Sequence, residues 1–160
     1  MKHVVALLAL LLLPVTAQAA IGPAEKIAAV VAAPDLPQTL REDTIEQRFS
    51  PVVRLKRRAT TPVILFTDAG AGSSVWVRSA MARFAADGRA RVRLEFTPSP
   101  ELTFTALAEA IEIQRGAPTE KTVIRRRWDA TDGVVRLLTA TSRDNGDEVL
   151  VLELEKEPLR

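Results

Sequence analysis

The sequence predicts a small α/β domain, with α+β as the alternative class. A small mixed sheet is expected, with a strand–helix–strand–helix core and a C-terminal three-stranded antiparallel meander. Two observations support this class. Apolar residues recur at helical spacing around Ile27 and around Leu107. Near the C terminus, Asp132-Gly133 and Asn145-Gly146 separate strand-like segments, and both dipeptides favour tight hairpin turns.

Residues 1–19 have the pattern of a signal peptide. Lys2 supplies a positive charge, and an apolar run of ten residues follows, from Val4 to Leu13. Ala17 and Ala19 occupy the small-residue positions of a cleavage site, so the mature chain is expected to begin at Ala20. The run is too short to span a bilayer. We therefore predict a periplasmic or secreted protein with no membrane span.

Residues 20–50 are predicted to form N-terminal helices and a linker. An amphipathic helix should begin behind Pro23 and end before Pro34 and Pro37, with a buried stripe formed by Ala24, Ile27, Ala28 and Val31. Thr39 and Glu42 have the spacing of a capping box, which predicts a second helix up to Ser50. The single α/β globular domain is expected over residues 51–160.

Three strands are predicted in the first half of this domain. Residues 52–58 alternate weakly and are expected to form a basic edge strand. Residues 62–67 are continuously apolar, which is typical of a strand buried on both faces. Residues 89–96 alternate cleanly between apolar and charged side chains, which predicts a strand with one buried face.

Residues 74–86 are compatible with a helix or a strand. As a helix, Val77, Ala80, Met81 and Phe84 would share one stripe, and Gly88 would end it. As a strand, Asp87-Gly88 becomes a hairpin turn, and residues 76–96 then resemble residues 134–154 at an offset of 58. Four alanines and a methionine within the segment favour the helix, which we therefore predict.

The second half of the domain should begin with a helix behind Ser99-Pro100-Glu101 and end it at Gly116. Its predicted buried stripe consists of Phe104, Leu107, Ala108 and Ile111. Three antiparallel strands should follow, over Lys121–Trp128, Val134–Ser142 and Glu148–Glu155.

Composition excludes several kinds of chemistry. The chain has no Cys and no Tyr, and its one His is His3, inside the predicted signal peptide. Catalysis by Ser-His-Asp or Cys-His groups, thiol exchange and ordinary zinc sites are therefore excluded from the mature chain. No catalytic residue, cofactor or metal site is predicted.

Arginines form three clusters, at residues 54–58, 89–93 and 125–127. Most such residues are expected on solvated strand faces, but a common face for all three would favour an anionic partner such as an acidic protein or a membrane surface. The composition argues against nucleic acid as the partner class, because five Phe and two Trp supply no stacking platform.

One loop could bind an anion. Residues 68–74 follow an apolar strand, and their glycines and serines would place backbone N–H groups at the start of the predicted helix. Asp68 could act as a base or a metal ligand there, although no second acid is predictably near it. We favour a tight connection, and the acids Asp129 and Asp132 are interpreted as turn formers.

The predicted order of elements over residues 60–142 resembles the thioredoxin fold. Arg115-Gly116-Ala117-Pro118-Thr119 looks like the family's cis-proline loop, and Ala71-Gly72-Ser73-Ser74 occupies about the place of its Cys-x-x-Cys. Both redox cysteines are absent, and a strand replaces the family's closing helix, so no thiol chemistry carries over. The resemblance implies a groove between these two loops that holds an extended peptide by backbone pairing.

The function predicted from the sequence is an exported non-catalytic binding or assembly module for a protein or peptide. Trp128 joins the candidate site because it lies beside three arginines, where stacking on a guanidinium is plausible. The alternatives are a small hydrolase or transferase that uses the Asp68 loop, and a secreted inhibitor built from repeated helix-plus-hairpin units. The candidate partner-binding residues are Ala71, Gly72, Ser73, Ser74, Ala117, Pro118 and Trp128.

Overall fold

The structure, a computed structural model, describes residues 21–60, 63–67 and 75–158. Its helices are α1 (Pro23–Val31), α2 (Leu36–Thr39), α3 (Ile45–Phe49) and α4 (Phe104–Arg115). Its strands are β1 (Leu55–Thr60), β2 (Val63–Thr67), β3 (Val77–Phe84), β4 (Ala90–Phe96), β5 (Glu120–Lys121), β6 (Arg125–Trp128), β7 (Val134–Ser142) and β8 (Glu148–Lys156). The predicted signal peptide, residues 1–19, lies outside the described residues.

The eight strands form one sheet in the order β1-β2-β3-β4-β8-β7-β6-β5, and every neighbouring pair is antiparallel. A small domain of helices and one sheet, with a C-terminal meander, is thereby confirmed. The first predicted meander strand is divided into β5 and β6, which pair with each other. Asp132-Gly133 and Asn145-Gly146 do form turns, in which both glycines have positive φ angles, 85° and 83°.

The predicted helix over residues 74–86 is wrong, because the structure has β3 there, between β2 and β4. Side chains alternate along it: Ala80, Ala82 and Phe84 are buried, whereas Arg83 is exposed. The Asp87-Gly88 hairpin joins β3 to β4, with Gly88 at φ 84°. Pairing with two neighbouring strands outweighs the intrinsic helix propensity of the alanines.

The N-terminal region is confirmed at α1, where the predicted stripe is buried. The second predicted helix is wrong in its boundaries. Thr39 ends α2, with its hydroxyl donating to the Asp35 carbonyl at 3.0 Å, and α3 begins only at Ile45. Glu42 closes no capping box, because its carboxylate instead accepts from Arg57 on β1 at 2.7 Å.

Helix α4 carries the predicted buried stripe but begins after the predicted start. Thr103 caps it by accepting a hydrogen bond from the Ala106 N–H at 3.1 Å. The Ser99 hydroxyl accepts from Leu102 at 3.1 Å and closes a turn before the helix. Gly116 ends α4 with a φ of 82°, a conformation that favours glycine.

Strand β1 lies at an edge of the sheet, as predicted, and β4 buries alternate residues from Ala90 to Phe96. The expectation that residues 62–67 are buried on both faces is wrong for the described strand β2. Within it only Leu65 is fully buried, and Phe66 is 41% exposed. The apolar run therefore has one face in the core and one at the surface.

The helices pack on one face of the sheet, which we call the covered face. Three strand residues contact the helical layer directly. The Arg126 guanidinium lies 5.2 Å from the centre of the Phe104 ring, Arg136 donates to the Val31 carbonyl at 2.7 Å, and Lys156 Nζ lies 3.5 Å from the Leu40 carbonyl oxygen. Residues in register with them form fully buried rows, such as Leu65, Ala82, Val92 and Leu154. The opposite face of the sheet is called the open face.

The two long hairpins are equivalent at an offset of 58 residues. Ala80 pairs with Leu94 in the β3–β4 hairpin, and Leu138 pairs with Leu152 in the β7–β8 hairpin, so both positions shift by 58. The turn glycines, Gly88 and Gly146, differ by the same number. Where β4 pairs with β8, Leu94 lies opposite its own equivalent, Leu152. The β4–β8 pair at the centre of the sheet, which we call the seam, therefore has the register expected for a pseudo-twofold axis through Leu94 and Leu152.

Candidate functional site

Only one of the two predicted groove loops lies within the described residues. Ala71, Gly72, Ser73 and Ser74, together with Asp68, lie outside them, in the chain between β2 and β3. The loop with exposed Ala117 and half-buried Pro118 leads into β5, an edge strand of the sheet. Strands β2 and β5 are six strand positions apart, roughly 30 Å along the sheet at the usual strand spacing.

Trp128 is not a surface residue, and its prediction as a partner contact is corrected here. Its side chain is 3% exposed, and its indole N–H donates to the Gly116 carbonyl at 3.0 Å. The Thr119 N–H donates to the Arg127 carbonyl at 2.7 Å, which ties the same loop to β6. Trp128 therefore holds the turn after α4 against the sheet. The cation–π contact that the sequence suggested for Trp128 forms instead between Arg126 and Phe104.

The open face is a broad surface of the eight-stranded sheet that no described element covers. Its rows follow from the strand register, since residues directly opposite each other share a face. One row crosses seven strands, from β6 to β1, and consists of Arg127, Leu137, Glu153, Arg93, Met81, Phe66 and Lys56. The next row consists of Val135, Glu155, Arg91, Arg83 and Ile64. Apolar and charged side chains are thus interspersed across the face.

Ion pairs organise the centre of the open face. Arg91 pairs with Glu155 at 2.8 Å, and Arg93 pairs with Glu153 at 2.8 Å, each across the β4–β8 seam. Arg93 also reaches Glu95 at 3.2 Å. Burial alone would raise the pKa of Glu95, but hydrogen bonds from Arg93 and Arg143 outweigh burial and lower the pKa. The positive and negative side chains at the centre of this face therefore pair with each other.

A shallow depression of about 200 Å³ lies beside these ion pairs, over β7 and β8. Val135 and Leu137 contribute apolar surface to it, and charged side chains surround them. The lining residues are Arg91, Arg127, Val135, Leu137, Glu153 and Glu155. Two arginines and two glutamates thus surround two aliphatic side chains, and arginine beside apolar surface is common at protein–protein interfaces.

The β1–β3 part of the open face differs from the centre. It presents Lys56, Ile64, Phe66, Met81 and Arg83, a set that we call the basic–apolar patch. None of the residues of β1, β2 or β3 is an Asp or Glu. Among the described residues, neither Lys56 nor Arg83 takes part in an ion pair, in contrast to the arginines of β4.

The strongest buried charge cluster lies on the covered face and has a structural role. Arg136 is fully buried, and it donates to both carboxylate oxygens of Asp132, at 3.1 and 2.9 Å. Arg115 at the end of α4 reaches the same carboxylate at 2.9 Å. Burial acts to raise the pKa of Asp132, but the hydrogen bonds and charge of Arg136, with the charge of Arg115, lower it overall. The cluster ties α1, α4 and β7 together.

The cavity beside this cluster has a volume of about 550 Å³. Lys156 is one of its lining residues, and the pKa of its ammonium is lowered by burial and by the charge of Arg41. The other lining residues are Pro37, Gln38, Arg41, Asp132, Gly133, Glu157 and Pro158. In residues 21–60, 63–67 and 75–158 there is no group of three or more Asp, Glu, His or Cys placed to hold a metal ion.

The sequence contained part of the information for the open face. Each of the three arginine clusters contributes to it, through Lys56, through Arg91 and Arg93, and through Arg125 and Arg127. Alternation in residues 89–96 indicated which arginines would be exposed. The β4–β8 pairing joins residues about 60 positions apart, for example Arg93 and Glu153, and short-range patterns do not reveal such a pairing.

Within the part of the chain that the structure describes, no helix is long and apolar enough to cross a membrane. No family model, no curated protein and no solved structure matches this chain. The thioredoxin resemblance is therefore neither confirmed nor excluded by comparison, although β3 occupies the segment where that resemblance requires a helix.

Proposed function

We propose that this protein is an exported, non-catalytic binding module that holds a protein or peptide partner on the open face of its sheet. One observation carries the proposal: four helices pack on one face of an eight-stranded sheet, while no described residue outside the strands forms a layer on the other. Export rests on the signal-peptide pattern of residues 1–19.

The composition of the open face supports a protein partner. Arginine is enriched at protein interfaces, because its guanidinium combines apolar stacking with several directional hydrogen bonds. The open face has four arginines on β4 and β6, and two of them, Arg91 and Arg127, line the depression that contains Val135 and Leu137. A site of this kind needs no titrating nucleophile, which suits a mature chain without Cys, His or Tyr.

A second candidate function is inhibition of a secreted enzyme, and the 58-residue equivalence favours it. Two hairpins in the same register place two related halves side by side on one continuous face. Such a surface can contact an enzyme from both sides of its active-site cleft. An inhibitor lowers the turnover of the enzyme that it captures, whereas a simple binding module leaves turnover unchanged.

Site-specific photo-cross-linking tests the binding proposal. A photoreactive p-benzoylphenylalanine is introduced in place of Leu137, in the open-face depression, and in the control in place of Ile113, which is 84% exposed on α4. We expect a discrete cross-linked product in the periplasm from position 137 and none from position 113. Equal cross-linking at both positions, or none at either, would contradict the proposal.

The hydrolase or transferase alternative is tested by comparing Asp68→Ala with the native protein in hydrolase and transferase assays, because the cross-link from position 137 should persist under either hypothesis. If Asp68 is a turn or cap residue, the variant and the native protein do not differ in these assays. If the chain is an enzyme, the native protein has an activity that Asp68→Ala abolishes. Finding such an activity would replace the binding proposal with the enzyme hypothesis.

A further inference from the structure

We infer that the basic–apolar patch binds an acidic segment of a partner protein that also carries apolar side chains. This inference rests on the proposed function and specifies the chemistry of the partner. The patch consists, as above, of Lys56, Ile64, Phe66, Met81 and Arg83, on the open face of β1, β2 and β3.

Strand register makes the patch contiguous. Phe66 lies directly opposite Lys56 on one side and Met81 on the other, and Ile64 lies directly opposite Arg83. Directly opposite side chains in an antiparallel pair have Cβ atoms about 5 Å apart. The five side chains therefore form one surface in which two cations flank three apolar groups.

The positive charge of the patch indicates that its partner is negatively charged. Arg83 lies directly opposite Arg91 in the β3–β4 pair, an arrangement of like charges that is unfavourable by itself. Arg91 is already paired with Glu155 at 2.8 Å, and β1, β2 and β3 contain no acid that could serve Arg83 or Lys56. Both arginines of β4 have a carboxylate partner on β8. Among the described residues, Lys56 and Arg83 of the patch have no such partner. A carboxylate from another chain would supply it.

The apolar part of the patch argues against simple edge protection. Basic side chains on β1 are a common means of preventing edge-to-edge aggregation. Edge protection does not explain Phe66, which lies on the second strand, is 41% exposed, and is the one exposed large apolar side chain within a strand of the described residues. An exposed aromatic group near two cations that form no ion pair within residues 21–60, 63–67 and 75–158 is better explained by a partner that covers it.

The position of β1 favours an extended segment as the occupant. β1 is an edge strand of six residues, and its outer edge has no partner strand in the described part of the chain. A segment that pairs there directs every second side chain towards the open face directly beside Lys56, with Phe66 one strand and Arg83 two strands further in. Alternating acidic and apolar residues on that segment would match the patch.

A binding measurement on the mature protein tests this inference. The probe is a short fluorescein-labelled peptide that alternates Glu with Val and Phe, and the matched probe has Lys at each Glu. We expect saturable anisotropy with the acidic peptide, weakening as the salt rises from about 50 to about 200 mM. The lysine peptide should bind at least tenfold more weakly, since like charges then oppose association.

The variants are Arg83→Glu, Phe66→Ala and a control of equal charge change, Lys26→Glu, at an exposed position of α1. We expect Arg83→Glu to weaken the acidic peptide about tenfold or more, and Phe66→Ala to weaken it severalfold. Lys26→Glu should change the affinity for the acidic peptide by less than about twofold, because α1 packs on the covered face, on the other side of the sheet from the patch. Circular dichroism confirms that each variant retains the native sheet.

Three results would overturn the inference. One is an equal effect of Arg83→Glu and Lys26→Glu, which indicates net charge alone. Another is absence of acidic-peptide binding up to about 1 mM. The third is tighter binding to single-stranded DNA or to anionic vesicles, lost in Arg83→Glu, which assigns the patch to another class of partner. Cross-linking from position 137 that persists in any of these cases leaves the proposed function intact, so the two failures are distinguishable.

Discussion

At the scale of single residues, Arg136 is the least expected feature of the fold. It lies on β7 between Val134 and Leu138, at a position where strand alternation places a buried apolar residue. Its guanidinium is fully buried and satisfied by the Asp132 carboxylate and by the carbonyls of Val31 and Val134. The sequence supported Asp132 as a turn former, and it does accept from the Val134 N–H at 3.1 Å. Asp132 has a second role as the counter-charge of Arg136. Arg136 in turn is buried against α1, which is about 100 residues away in sequence, so local patterns could not reveal this role.

Replacing the carboxylate that balances Arg136 should be costly. We expect Asp132→Asn to lower the free energy of unfolding by about 3 kcal/mol, because it leaves a fully buried guanidinium without a counter-charge. The control is Asp43→Asn, whose partner Arg41 is 62% exposed and whose loss should cost under about 1 kcal/mol. Urea denaturation at neutral pH measures both variants, and equal losses would contradict a structural role for the cluster.

The same pair has a defined pH dependence. The pKa of Asp132 is lowered in the folded state, so its ionised form stabilises the fold at every pH above the ordinary value of 3.8. This stabilisation is lost as the pH falls through the lowered folded-state pKa. The difference in stability between the native protein and Asp132→Asn should therefore be constant near neutral pH and shrink in acid, below about pH 4.

At the scale of elements, the segment 77–84 explains how much of the secondary structure could be predicted. The turns at Asp132-Gly133 and Asn145-Gly146 were identified correctly, because these dipeptides determine the local backbone. Asp87-Gly88 was a hairpin turn only in the alternative strand interpretation, which the structure supports. Helix α4 and strand β4 were identified because each has one clear periodicity. In β3 the residues Ala80 and Phe84 fit both the helical and the strand period, and the alanines favour a helix. Only its position between β2 and β4 makes it a strand, and that position is a tertiary property.

The two turn glycines provide a matched test of the equivalent hairpins. Gly88 and Gly146 have φ angles of 84° and 83°, and an added Cβ would meet no atom within 4 Å at either site. The cost of a side chain is therefore conformational, and we expect Gly88→Ala and Gly146→Ala each to destabilise the fold by about 1 kcal/mol. Gly88→Asn and Gly146→Asn should cost less, because asparagine tolerates positive φ. Thermal unfolding measures all four, and a neutral Gly88→Ala would argue against the β3–β4 hairpin.

At the scale of the whole molecule, the seam between β4 and β8 joins two related halves. Leu94 and Leu152 are fully buried, face each other across the seam and are equivalent at the 58-residue offset. Helices α1 and α4 pack against each other on the covered face, one from each half. The predicted internal repeat was a property of the strand interpretation, so the choice of a helix for residues 74–86 removed it from the favoured prediction. The open face became visible only when both halves were placed in one sheet.

The pseudo-twofold seam predicts the behaviour of an isolated half. A fragment of residues 99–160 retains α4 and β5 to β8, but it exposes the edge of β8 that pairs with β4 in the whole chain. Because the seam has the register of a twofold axis through Leu94 and Leu152, two fragments can pair through β8 with Leu152 opposite Leu152. A second α4 would then replace the helices of the missing half on the covered face, where the leucines at 150, 152 and 154 are buried. We therefore expect the fragment to sediment as a dimer.

A single cysteine makes this prediction specific, since the chain contains none. Leu152→Cys in the fragment should form an intermolecular disulfide under mild oxidation, because directly opposite Cβ atoms lie about 5 Å apart, close to disulfide range. Ile113→Cys, at an exposed position on α4, should remain reduced in the same dimer. A fragment that sediments as a folded monomer, or that pairs without cross-linking at position 152, would mean that the 58-residue equivalence is confined to the two hairpins and does not extend to the seam.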